Sequence, residues 1–351
     1  MLHMIRNIQY RGRKIMVLLL ALGCLTAGAQ QKPHYTQYVL NNYILNPALS
    51  GIENYTDIKI SHRHQWVGLQ DAPVTSYFTL HTPIGKKDYK TTATSYAIQG
   101  ENPRGKQYWQ DYQASEPHHG AGLQIINDRA GPFNNFSAYG TYAYHIGLNE
   151  RTNISAGFGA GVSQVTLNTN KLFFGTDFPV DPAVAGSGEL GRMRFDMNAG
   201  VWLYSADYFA GVSVNQVVPQ RLEFADNIVR LTNGKKVPHI FATAGYRFLL
   251  SEDVNMIPSV MVKYVNAAPV QADVNVKLQY RDFLWGGASY RSRYGFAAMA
   301  GLNVMNGFAL SYSYDYSTTL LNTVSRGTHE IILGFVIGNR YNSDTCPKNI
   351  W

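Results

Sequence analysis

The sequence predicts an all-β fold, a transmembrane antiparallel outer-membrane β-barrel of about 14 strands. Three observations lead to this prediction. Long segments alternate between apolar and small or polar residues, charged residues make up only 15% of the chain, and tyrosine and glycine are abundant, with 24 and 32 copies. Outer-membrane barrels cross the bilayer with tilted strands of about 10 residues, apolar toward lipid and polar inside, with aromatic residues at both interfaces. Beyond the amino terminus, the sequence contains no run of about 18 apolar residues, the length that would predict a transmembrane helix.

The segment from Phe136 to Gln164 shows the alternation most clearly. From Phe136 to Ile146, every second residue is apolar or glycine, and the residues between them are small, polar or tyrosine. After a turn, the chain returns from Ile154 to Val162 with the same alternation. Because side chains alternate faces along a strand, each arm has one apolar face. Each arm has about ten alternating residues, enough to cross a hydrocarbon layer when tilted, whereas strands of soluble domains usually have about five or six residues.

Residues 1–29 have the features of a secretory signal peptide. A basic region precedes an apolar stretch from Ile15 to Leu25, and small residues lead to a cleavage site between Ala29 and Gln30. Loss of its four basic residues lowers the formal net charge from +7 to +3, so the basic pI is weak support for nucleic-acid binding. Only Cys346 then remains, which excludes an internal disulfide.

The mature chain divides by composition. Residues 30–54 are polar and aromatic without a clear period, and we expect an ordered periplasmic N-terminal lead-in. Residues 55–338 are expected to form the barrel. Within them, residues 84–119 are a long inserted linker, rich in lysine, glutamine and tyrosine, expected to be a plug, a periplasmic docking segment or disordered. Residues 339–351 form a C-terminal tail.

Fourteen alternating segments are the expected barrel strands. They are Tyr55 to Trp66, Thr75 to Thr82, Gly120 to Asn127, Asn135 to Ile146, Thr152 to Val165, Arg194 to Tyr204, Tyr208 to Val218, His239 to Leu249, Val254 to Val265, Val270 to Tyr280, Phe283 to Arg291, Gly295 to Val304, Phe308 to Tyr316 and His329 to Ile337. An even number puts both barrel ends of the chain on the periplasmic side. Tight turns alternate with longer links in the second half, as is typical of such barrels.

The alternation also assigns strand faces. Val274 and Val276 are expected to face lipid and Lys277 the lumen, because a lysine at mid-bilayer on the lipid face costs about 2 to 4 kcal/mol. The inward positions that we expect to form the lumen, and to meet a partner there, are Gly157, Gly159, Gly161, Asn198, Ser213, Asn215, Asp273, Lys277, Asp315 and Glu330.

Two patterns resemble sites but have simpler interpretations. Gly157, Gly159 and Gly161 form a run like a nucleotide-binding loop, but they lie inside a strand, so a crowded inward face where neighbouring strands or a plug approach explains them better. His62 and His64 share a strand face, the minimum for a metal pair, but no third ligand is placed. No Ser-His-acid trio is indicated, so no catalytic, cofactor or metal site is predicted.

A soluble β-sandwich, with one face of each sheet exposed to solvent, is the alternative fold, since it would show the same alternation. Strands this long and this aromatic would be unusual in a sandwich. The membrane barrel is therefore the preferred fold class.

Short motifs in a fixed order cover nearly the whole mature chain. They are Tyr35-Thr36-Gln37-Tyr38, Asn46-Pro47-Ala48, Gly51, Arg63-His64-Gln65-Trp66-Val67-Gly68, Ala72-Pro73-Val74-Thr75, Asn127-Asp128, Tyr142-Ala143-Tyr144, Asn198-Ala199-Gly200-Val201, Tyr208 to Asn215, Pro258-Ser259, Ser311 to Tyr316 with Asp315, and His329-Glu330-Ile331. With these motifs, the chain resembles the PorP/SprF family of Bacteroidetes outer-membrane proteins, associated with the type IX secretion system and gliding motility. The linker at 84–119 is longer than the family's.

The resemblance implies an integral outer-membrane protein, in contact with lipid, that works with a secreted adhesin or other secreted protein, or with periplasmic secretion or gliding components. We expect a non-catalytic barrel that binds and anchors this partner or helps to export it, with no cofactor and no nucleic acid. The alternative is a channel for small solutes or lipids. An outer-membrane enzyme is a third hypothesis, but no residues converge on a reaction. Conductance in liposomes separates the anchor from the channel.

Overall fold

The protein is a closed antiparallel β-barrel in the computed structural model. The structure describes residues 36–86, 113–172, 189–218, 220–224, 229–251, 253–266, 268–280, 283–304 and 307–338. Within these ranges, no helix has the length and apolar character needed to span a bilayer. The predicted signal peptide with its cleavage site, most of the linker at 84–119 and the tail at 339–351 lie outside the described residues.

The described residues form seventeen strands and five short 3-10 helices. The strands are β1 (Thr56–His64), β2 (Val74–Ile84), β3 (His118–Ala130), β4 (Phe133–Asn149), β5 (Thr152–Asn168), β6 (Glu189–Ser205), β7 (Tyr208–Asn215), β8 (Gln220–Phe224), β9 (Val229–Lys236), β10 (His239–Tyr246), β11 (Phe248–Ser251), β12 (Val254–Val265), β13 (Gln271–Tyr280), β14 (Leu284–Arg291), β15 (Gly295–Val304), β16 (Phe308–Ser317) and β17 (Thr328–Ile337). The 3-10 helices are Thr36–Leu40, Asn42–Ile44, Pro47–Leu49, Thr169–Lys171 and Leu320–Thr323. Every predicted strand overlaps an observed one.

The barrel sheet closes on itself, and its strands pair antiparallel in chain order. β10 and β11 are parts of one barrel strand, because both pair with β12 on either side of Arg247. Counted together, they make a barrel of 14 strands, as predicted. The closing seam is the β1–β17 pair, from Thr56 opposite Ile337 to His64 opposite His329. β8 and β9 form a separate hairpin that the alternation did not predict.

The two ends of the barrel differ in their connections. We call the end that holds Thr56 and Ile337 the terminal end, and the opposite end the far end. Short connections at the terminal end join β4 to β5, β6 to β7, β13 to β14 and β15 to β16. Longer connections at the far end join β1 to β2, β5 to β6, β7 to β10 and β16 to β17. Outer-membrane barrels have short periplasmic turns and longer outer loops, so the usual orientation assigns the terminal end to the periplasm.

Side chains alternate between a lipid face and a lumen face. On β13, Val274 and Leu278 are 51% and 47% exposed on the outside, whereas Asp273 and Lys277 are 2% and 4% exposed inside. These faces are the ones that the sequence predicted. Lipid offers no hydrogen bonds, so an apolar outer face and a polar inner face are what a membrane-spanning barrel requires.

The barrel wall has unequal height around its circumference. β4, β5 and β6 have 17 residues each, whereas β7 has 8. The excess lies at the far end: β6 pairs with β5 from Glu189 to Ser205, but with β7 only from Ala199 to Tyr204. At about 3.3 Å per residue, residues 189–197 extend roughly 30 Å along the strand beyond the cover of β7. We call residues 189–197 the upper part of β6.

Residues 36–54 fill the inside of the barrel, and we call them the plug segment. Its three 3-10 turns are almost completely buried. The segment hydrogen-bonds to inward side chains on opposite sides of the wall, including Thr79, Ser213, Asn275 and Glu330. A segment that bonds to β2, β7, β13 and β17 at once must lie within the barrel.

Asn46, Pro47 and Gly51 shape the plug segment. The Asn46 side chain caps the third 3-10 turn by accepting from the Ala48 N–H at 3.0 Å, and Pro47 takes the first helical position, where no N–H is needed. Gly51 has φ +70°, and a Cβ there would lie 2.4 Å from the Cα of Gly120. The Asn-Pro pair and the glycine turn the chain inside a confined space.

The position of the plug segment corrects the prediction for residues 30–54. The sequence indicated a periplasmic lead-in, but the described part, residues 36–54, lies in the lumen. The pattern missed this because the segment is surrounded by wall on every side. A segment without one apolar face has no helical or strand period to read.

Candidate functional site

A buried ionic cluster lies at the far end of the closing seam. Arg63 of β1 is 1% exposed, and its guanidinium donates to Asp315 at 2.6 Å and to Glu330 at 2.9 Å. Arg63 stands opposite Glu330 in the β1–β17 ladder. Glu330 stands opposite Ser313 in the next ladder, so Asp315 is its diagonal neighbour on the same face. Diagonal neighbours are within reach of long side chains, so the strand register assembles the cluster.

The described part of the plug segment begins in this cluster. The Thr36 hydroxyl donates to Asp315 at 2.5 Å and accepts from Arg63 at 2.5 Å. The Thr36 backbone N–H donates to the Glu330 carboxylate at 3.0 Å, and the Gln37 side chain donates to the Glu330 carbonyl at 2.8 Å. The carboxylates that neutralise Arg63 therefore also hold the plug segment, and the seam and the plug share one network.

Two more charged residues extend the network to β13 and β14. Arg291 donates to Asp273 at 3.0 Å, and its guanidinium lies 3.8 Å from Asp315. We call Thr36, Arg63, Asp273, Arg291, Asp315 and Glu330 the seam cluster. Buried charges cost several kcal/mol each unless they are paired, so the cluster is stable only as a set.

Neutral hydrogen bonds hold the middle of the plug segment. The Tyr43 hydroxyl lies 2.6 Å from the Thr141 hydroxyl. Ser213 and Asn215 both donate to the Leu45 carbonyl, at 2.7 and 3.1 Å. Backbone groups without a ladder partner thus find one among the inward side chains, as buried backbone groups must.

Two plug tyrosines are buried among these polar groups. Burial raises the pKa of the Tyr38 and Tyr43 phenols above their ordinary value, and the nearby Asp273 carboxylate raises that of Tyr38 further. Asn275 donates to the Tyr38 oxygen at 2.6 Å. Both phenols therefore remain neutral in alkaline solution that ionises an exposed tyrosine.

Glycines allow the plug segment to approach the wall. A Cβ at Gly157 would lie 2.6 Å from the Cα of Ala48, and one at Gly120 would lie 1.8 Å from the carbonyl oxygen of Ser50. Neither contact is sterically allowed. The glycine-rich part of β5 is thus a crowded inward face, in agreement with the simpler of the two interpretations of the run.

The predicted lumen residues lie on the inner face, and half of them meet the chain's own plug segment. The inward positions in contact with that segment are Gly157, Ser213, Asn215, Asp315 and Glu330. Asn198 accepts from the Gln216 N–H at 3.1 Å, and Gly159 lies beside Asn198 and Thr141. Gly161 packs against the β4 backbone, Asp273 pairs within the seam cluster, and Lys277 lines the cleft described below. Contact of these positions with a separate partner stays a prediction.

Several other motif residues shape the β1–β2 loop at the far end of the seam. The Gln65 N–H donates to the Pro73 carbonyl at 2.9 Å, and the Trp66 N–H donates to the Thr328 hydroxyl at 3.1 Å. Trp66 and Gly68 have φ of +48° and +103°, a left-handed backbone that glycine adopts readily. The loop therefore lies against residues 326–328 at the start of β17.

The remaining motif residues lie on the outer face. His329 is 2.6 Å from the Tyr312 hydroxyl, and Pro258 is half-buried on β12. His62 and His64 also lie outside, on β1. Among the residues that the structure describes, no three histidine, cysteine or acidic side chains are arranged to hold a metal ion.

A cleft remains in the terminal half of the lumen, between the plug segment and β13–β17. Asp57, Lys59 and Lys277 line it, together with apolar residues that include Leu40 and Trp285. Its cavity volume is about 40 Å³. Because Leu40 belongs to the plug segment, the cleft meets the plug rather than an open lumen.

The sequence reasoning missed the contacts between plug and wall. Thr36, Gln37 and Tyr38 were recognised only as part of a motif, since an aperiodic segment gives no sign of where it packs. Arg291 had a detectable signal, because it shares strand parity with inward Ser289 and stands opposite Asp273. A charged residue at an inward position of a barrel strand predicts a partner across the ladder.

The apolar belt, the closed sheet and the filled polar lumen define the class: an outer-membrane β-barrel plugged by its own N-terminal segment. The family comparison is specific. Residues 27–335 match the family described as type IX secretion system membrane protein PorP/SprF, and the chain belongs to this family, as its motifs predicted. It is therefore an integral outer-membrane protein. No curated protein matches the chain.

Solved outer-membrane proteins are similar to the chain at low identity. The CymD monoaromatic hydrocarbon channel is 10% identical with a TM-score of 0.46, over 85% of this chain and 91% of its own. The toluene transporter TbuX of Ralstonia pickettii is 9% identical with a TM-score of 0.46, over 85% and 93%. A FadL homologue of Pseudomonas aeruginosa is 9% identical with a TM-score of 0.44, over 92% and 96%. At these values, the similarity carries no information about function.

Proposed function

We propose that the barrel binds and anchors, or helps to export, a secreted adhesin-like protein, and that it does so with periplasmic components of the type IX secretion or gliding machinery. Its role is non-catalytic. One observation carries the proposal: the plug segment occupies the lumen and is bonded into the wall from end to end. A filled barrel is suited to holding a partner at its surfaces rather than to conducting solutes.

The attachments of the plug segment support a permanent structural role. At the far end, residues 36 and 37 are bonded into the seam cluster. Toward the terminal end, the Lys86 ammonium donates to the Ile52 carbonyl at 2.6 Å, and the Gly51 N–H donates to His81 at 3.3 Å. Buried polar groups that are hydrogen-bonded rigidify what they connect, so the plug gives the far-end loops a rigid support.

The far end is the surface that a secreted partner would meet. In its β16–β17 connection, Leu320 and Val324 are 87% and 60% exposed. Exposed apolar side chains on a rigid support are suitable anchors for a protein partner. The terminal end, with its open cleft, faces the periplasmic components in the usual orientation.

A channel for small solutes or lipids is the alternative, and the terminal cleft is the observation that favours it. The cleft has both charged and apolar lining, as a solute site does. Conduction, however, needs a path past Leu40, which packs partly buried against Trp285 and Met299, and past the rest of the plug segment. The anchor is therefore the better-supported function.

Two experiments test the proposal. One measures the conductance of the purified full-length protein in liposomes, and the other isolates the barrel from native membrane extracts and identifies the proteins that co-purify. We expect no steady conductance, and we expect a secreted polypeptide to co-purify with the barrel. Leu320→Asp should weaken that association, because it places a charge on an exposed apolar contact. Leu250→Asp is the matched control, since Leu250 is 56% exposed near the terminal end. A steady conductance that is independent of any partner would favour the channel instead.

A further inference from the structure

The outer face beside the closing seam changes from apolar to polar toward the far end. Residues that stand side by side on β17, β1, β2 and β3 form rows across these strands. One row is apolar throughout and consists of Leu333, Ile60, Phe78 and Ile125. The next row toward the far end consists of Ile331, His62, Ser76 and Asn127. The last row consists of His329, His64, Val74 and Arg129. We call the basic residues of these two rows the basic patch: His62, His64, Arg129 and His329.

The basic patch lies on the outer face, near the end of the wall. Its residues share strand parity with apolar residues such as Ile60 and Ile331, which are 43% and 46% exposed outside. His64 is the last residue of β1, and Arg129 and His329 each lie next to the far-end residue of their strand. Charged side chains are costly in hydrocarbon, so the hydrocarbon boundary falls between the apolar row and the patch. The usual orientation places the patch in the headgroup layer of the outer leaflet.

The far end of β14, β15 and β16 shows a different outer surface. Tyr290, Phe296 and Tyr316 form a row there and are 49%, 54% and 48% exposed. Aromatic rings of this kind form the usual interfacial girdle of an outer-membrane barrel. Beside the seam, histidines and an arginine stand where that girdle would continue. This part of the interface therefore offers hydrogen-bond donors and positive charge to the lipid.

Hydroxyl groups on neighbouring strands hold two of the imidazole rings. The Nδ1 atom of His329 lies 2.6 Å from the Tyr312 hydroxyl, and that of His62 lies 2.9 Å from the Ser76 hydroxyl. Because each hydroxyl can donate to Nδ1, the neutral ring can carry its proton on Nε2. Each ring can then donate that N–H to an anion.

The spacing of the last row suits a single anionic group. His64 and Arg129 are separated only by Val74 of β2. Neighbouring strands lie about 4.8 Å apart, so the backbones of His64 and Arg129 lie roughly 10 Å apart. A long arginine side chain and an imidazole can therefore meet at one anion above the short valine. His329 stands directly opposite His64 and borders the same space.

The acidic residues next to the patch in sequence face the lumen. Asp128 accepts from the Thr75 hydroxyl at 2.6 Å, and Glu330 belongs to the seam cluster. In the β1–β2 loop, the Asp71 carboxylate pairs with Lys171. The loops that surround the patch, residues 65–73, 131–132 and 318–327, lie within the described ranges. The outer surface at this corner is therefore basic.

We propose that the basic patch binds the phosphate of an outer-leaflet lipid headgroup. The Arg129 guanidinium suits a phosphate because it can donate two parallel hydrogen bonds, and the imidazole N–H groups add further donors. The acyl chains of the same lipid lie against the apolar row that contains Ile60 and Phe78. A lipid fits this arrangement better than free phosphate, since only a lipid contacts both surfaces.

A lipid bound in this way spans the closing seam from outside. His64 belongs to β1 and His329 to β17, so one phosphate between them links the first and last barrel strands. The seam cluster links the same two strands from inside, through Arg63 and Glu330. The proposal concerns the membrane-facing surface and is independent of the protein partner.

Native mass spectrometry of the purified full-length barrel in detergent tests the proposal. The probe is lipid A, which carries phosphate groups on a sugar headgroup, and it is compared with enzymatically dephosphorylated lipid A and with inorganic phosphate. We expect lipid A to bind at least about tenfold more tightly than its dephosphorylated form, as charge-assisted hydrogen bonds to one phosphate imply. Arg129→Leu/His329→Leu should remove most of this difference, because leucine keeps the outer face apolar but donates no hydrogen bond.

His119→Leu is the matched control. His119 also lies on the outer face and has its Nδ1 atom 2.5 Å from a tyrosine hydroxyl, that of Tyr142, but it stands at the terminal end of β3. Its replacement should leave the affinity for lipid A within about twofold. Folding of each variant is checked by heat-modifiable electrophoretic migration. If the double leucine variant does not fold, Arg129→Gln/His329→Gln replaces it, with the same loss of discrimination expected.

Four results would each overturn the proposal. They are equal affinity for the two forms of lipid A, unchanged discrimination in the double variant, an equal loss in His119→Leu, and displacement of lipid A by equimolar inorganic phosphate. The last result would identify a site for a free anion rather than for a lipid.

Discussion

Arg63→Met should loosen the attachment of the plug segment to the seam. The change removes a buried guanidinium that donates to Asp315, Glu330 and Thr36, and replaces it with an unbranched apolar side chain. Asp315 would keep Arg291 at 3.8 Å as its remaining cation. Both carboxylates would then be buried with less compensation than they have now.

The expected magnitude follows from the burial of the pair. Removing one partner of a buried ion pair costs about 3 to 5 kcal/mol, because the other charge is left uncompensated. At about 1.4 kcal/mol per factor of ten, that is a shift of roughly 10² to 10³·⁵ in the docking equilibrium of the attached segment. The Thr36 and Gln37 amides point at the Glu330 carboxylate, at 3.0 and 3.4 Å, so they report this equilibrium directly.

Hydrogen exchange of the folded barrel in detergent or nanodiscs measures the effect. We expect the protection of the Thr36 and Gln37 amides to fall by about that factor, and liposome conductance to rise as the far-end part of the plug opens. The variant Arg63→Met/Asp315→Asn/Glu330→Gln should recover much of the protection, because no buried charge is left at those three positions. Protection within about threefold of the wild type in Arg63→Met would refute the reasoning, since it would mean that the ion pairs do not hold the plug.

Three further predictions concern the plug and the membrane face. Gly157→Ala puts a methyl group 2.6 Å from the plug backbone and should lower the free energy of unfolding by about 1 to 3 kcal/mol. Gly159→Ala is the control and should cost clearly less, because the nearest neighbour of its new methyl group is a side-chain methyl at 3.2 Å. Thermal unfolding compares the two variants. Val276→Lys on the lipid face should cost about 2 to 4 kcal/mol in denaturant unfolding from vesicles, and an unchanged midpoint would contradict the assigned face. Tyr43→Phe removes the hydroxyl 2.6 Å from Thr141 and should cost about 0.5 to 1.5 kcal/mol in the same assay; no loss would show that this bond contributes nothing.

Strand reasoning succeeded where one face meets lipid. The alternation assigned the β13 residues Val274 and Lys277 correctly to the outside and the inside of the barrel. The one barrel strand that the structure divides, at Arg247, was still predicted as a single segment from His239 to Leu249. The β8–β9 hairpin was not predicted, because it lies outside the barrel sheet and lacks the sustained alternation of a membrane strand.

The site was predictable only in part. Asp315 and Glu330 could be placed in the lumen, and Arg63 belonged to a recognised motif, but nothing in the one-dimensional pattern joined them. Their meeting depends on the register of β16, β17 and β1. The Thr36 contact depends in addition on a segment that packs by local hydrogen bonds, for which no periodicity exists.

The amino-acid sequence alone determined the barrel, its 14 strands and their faces, because residues that face lipid alternate with residues that face the lumen along each strand. The sequence motifs determined the family. Only the tertiary structure decided that residues 36–54 occupy the lumen, which carboxylates hold them and where β6 extends beyond the end of β7. Those features arise from closing the sheet: closure brings residues almost 300 positions apart into one buried network, and it sets where each ladder ends.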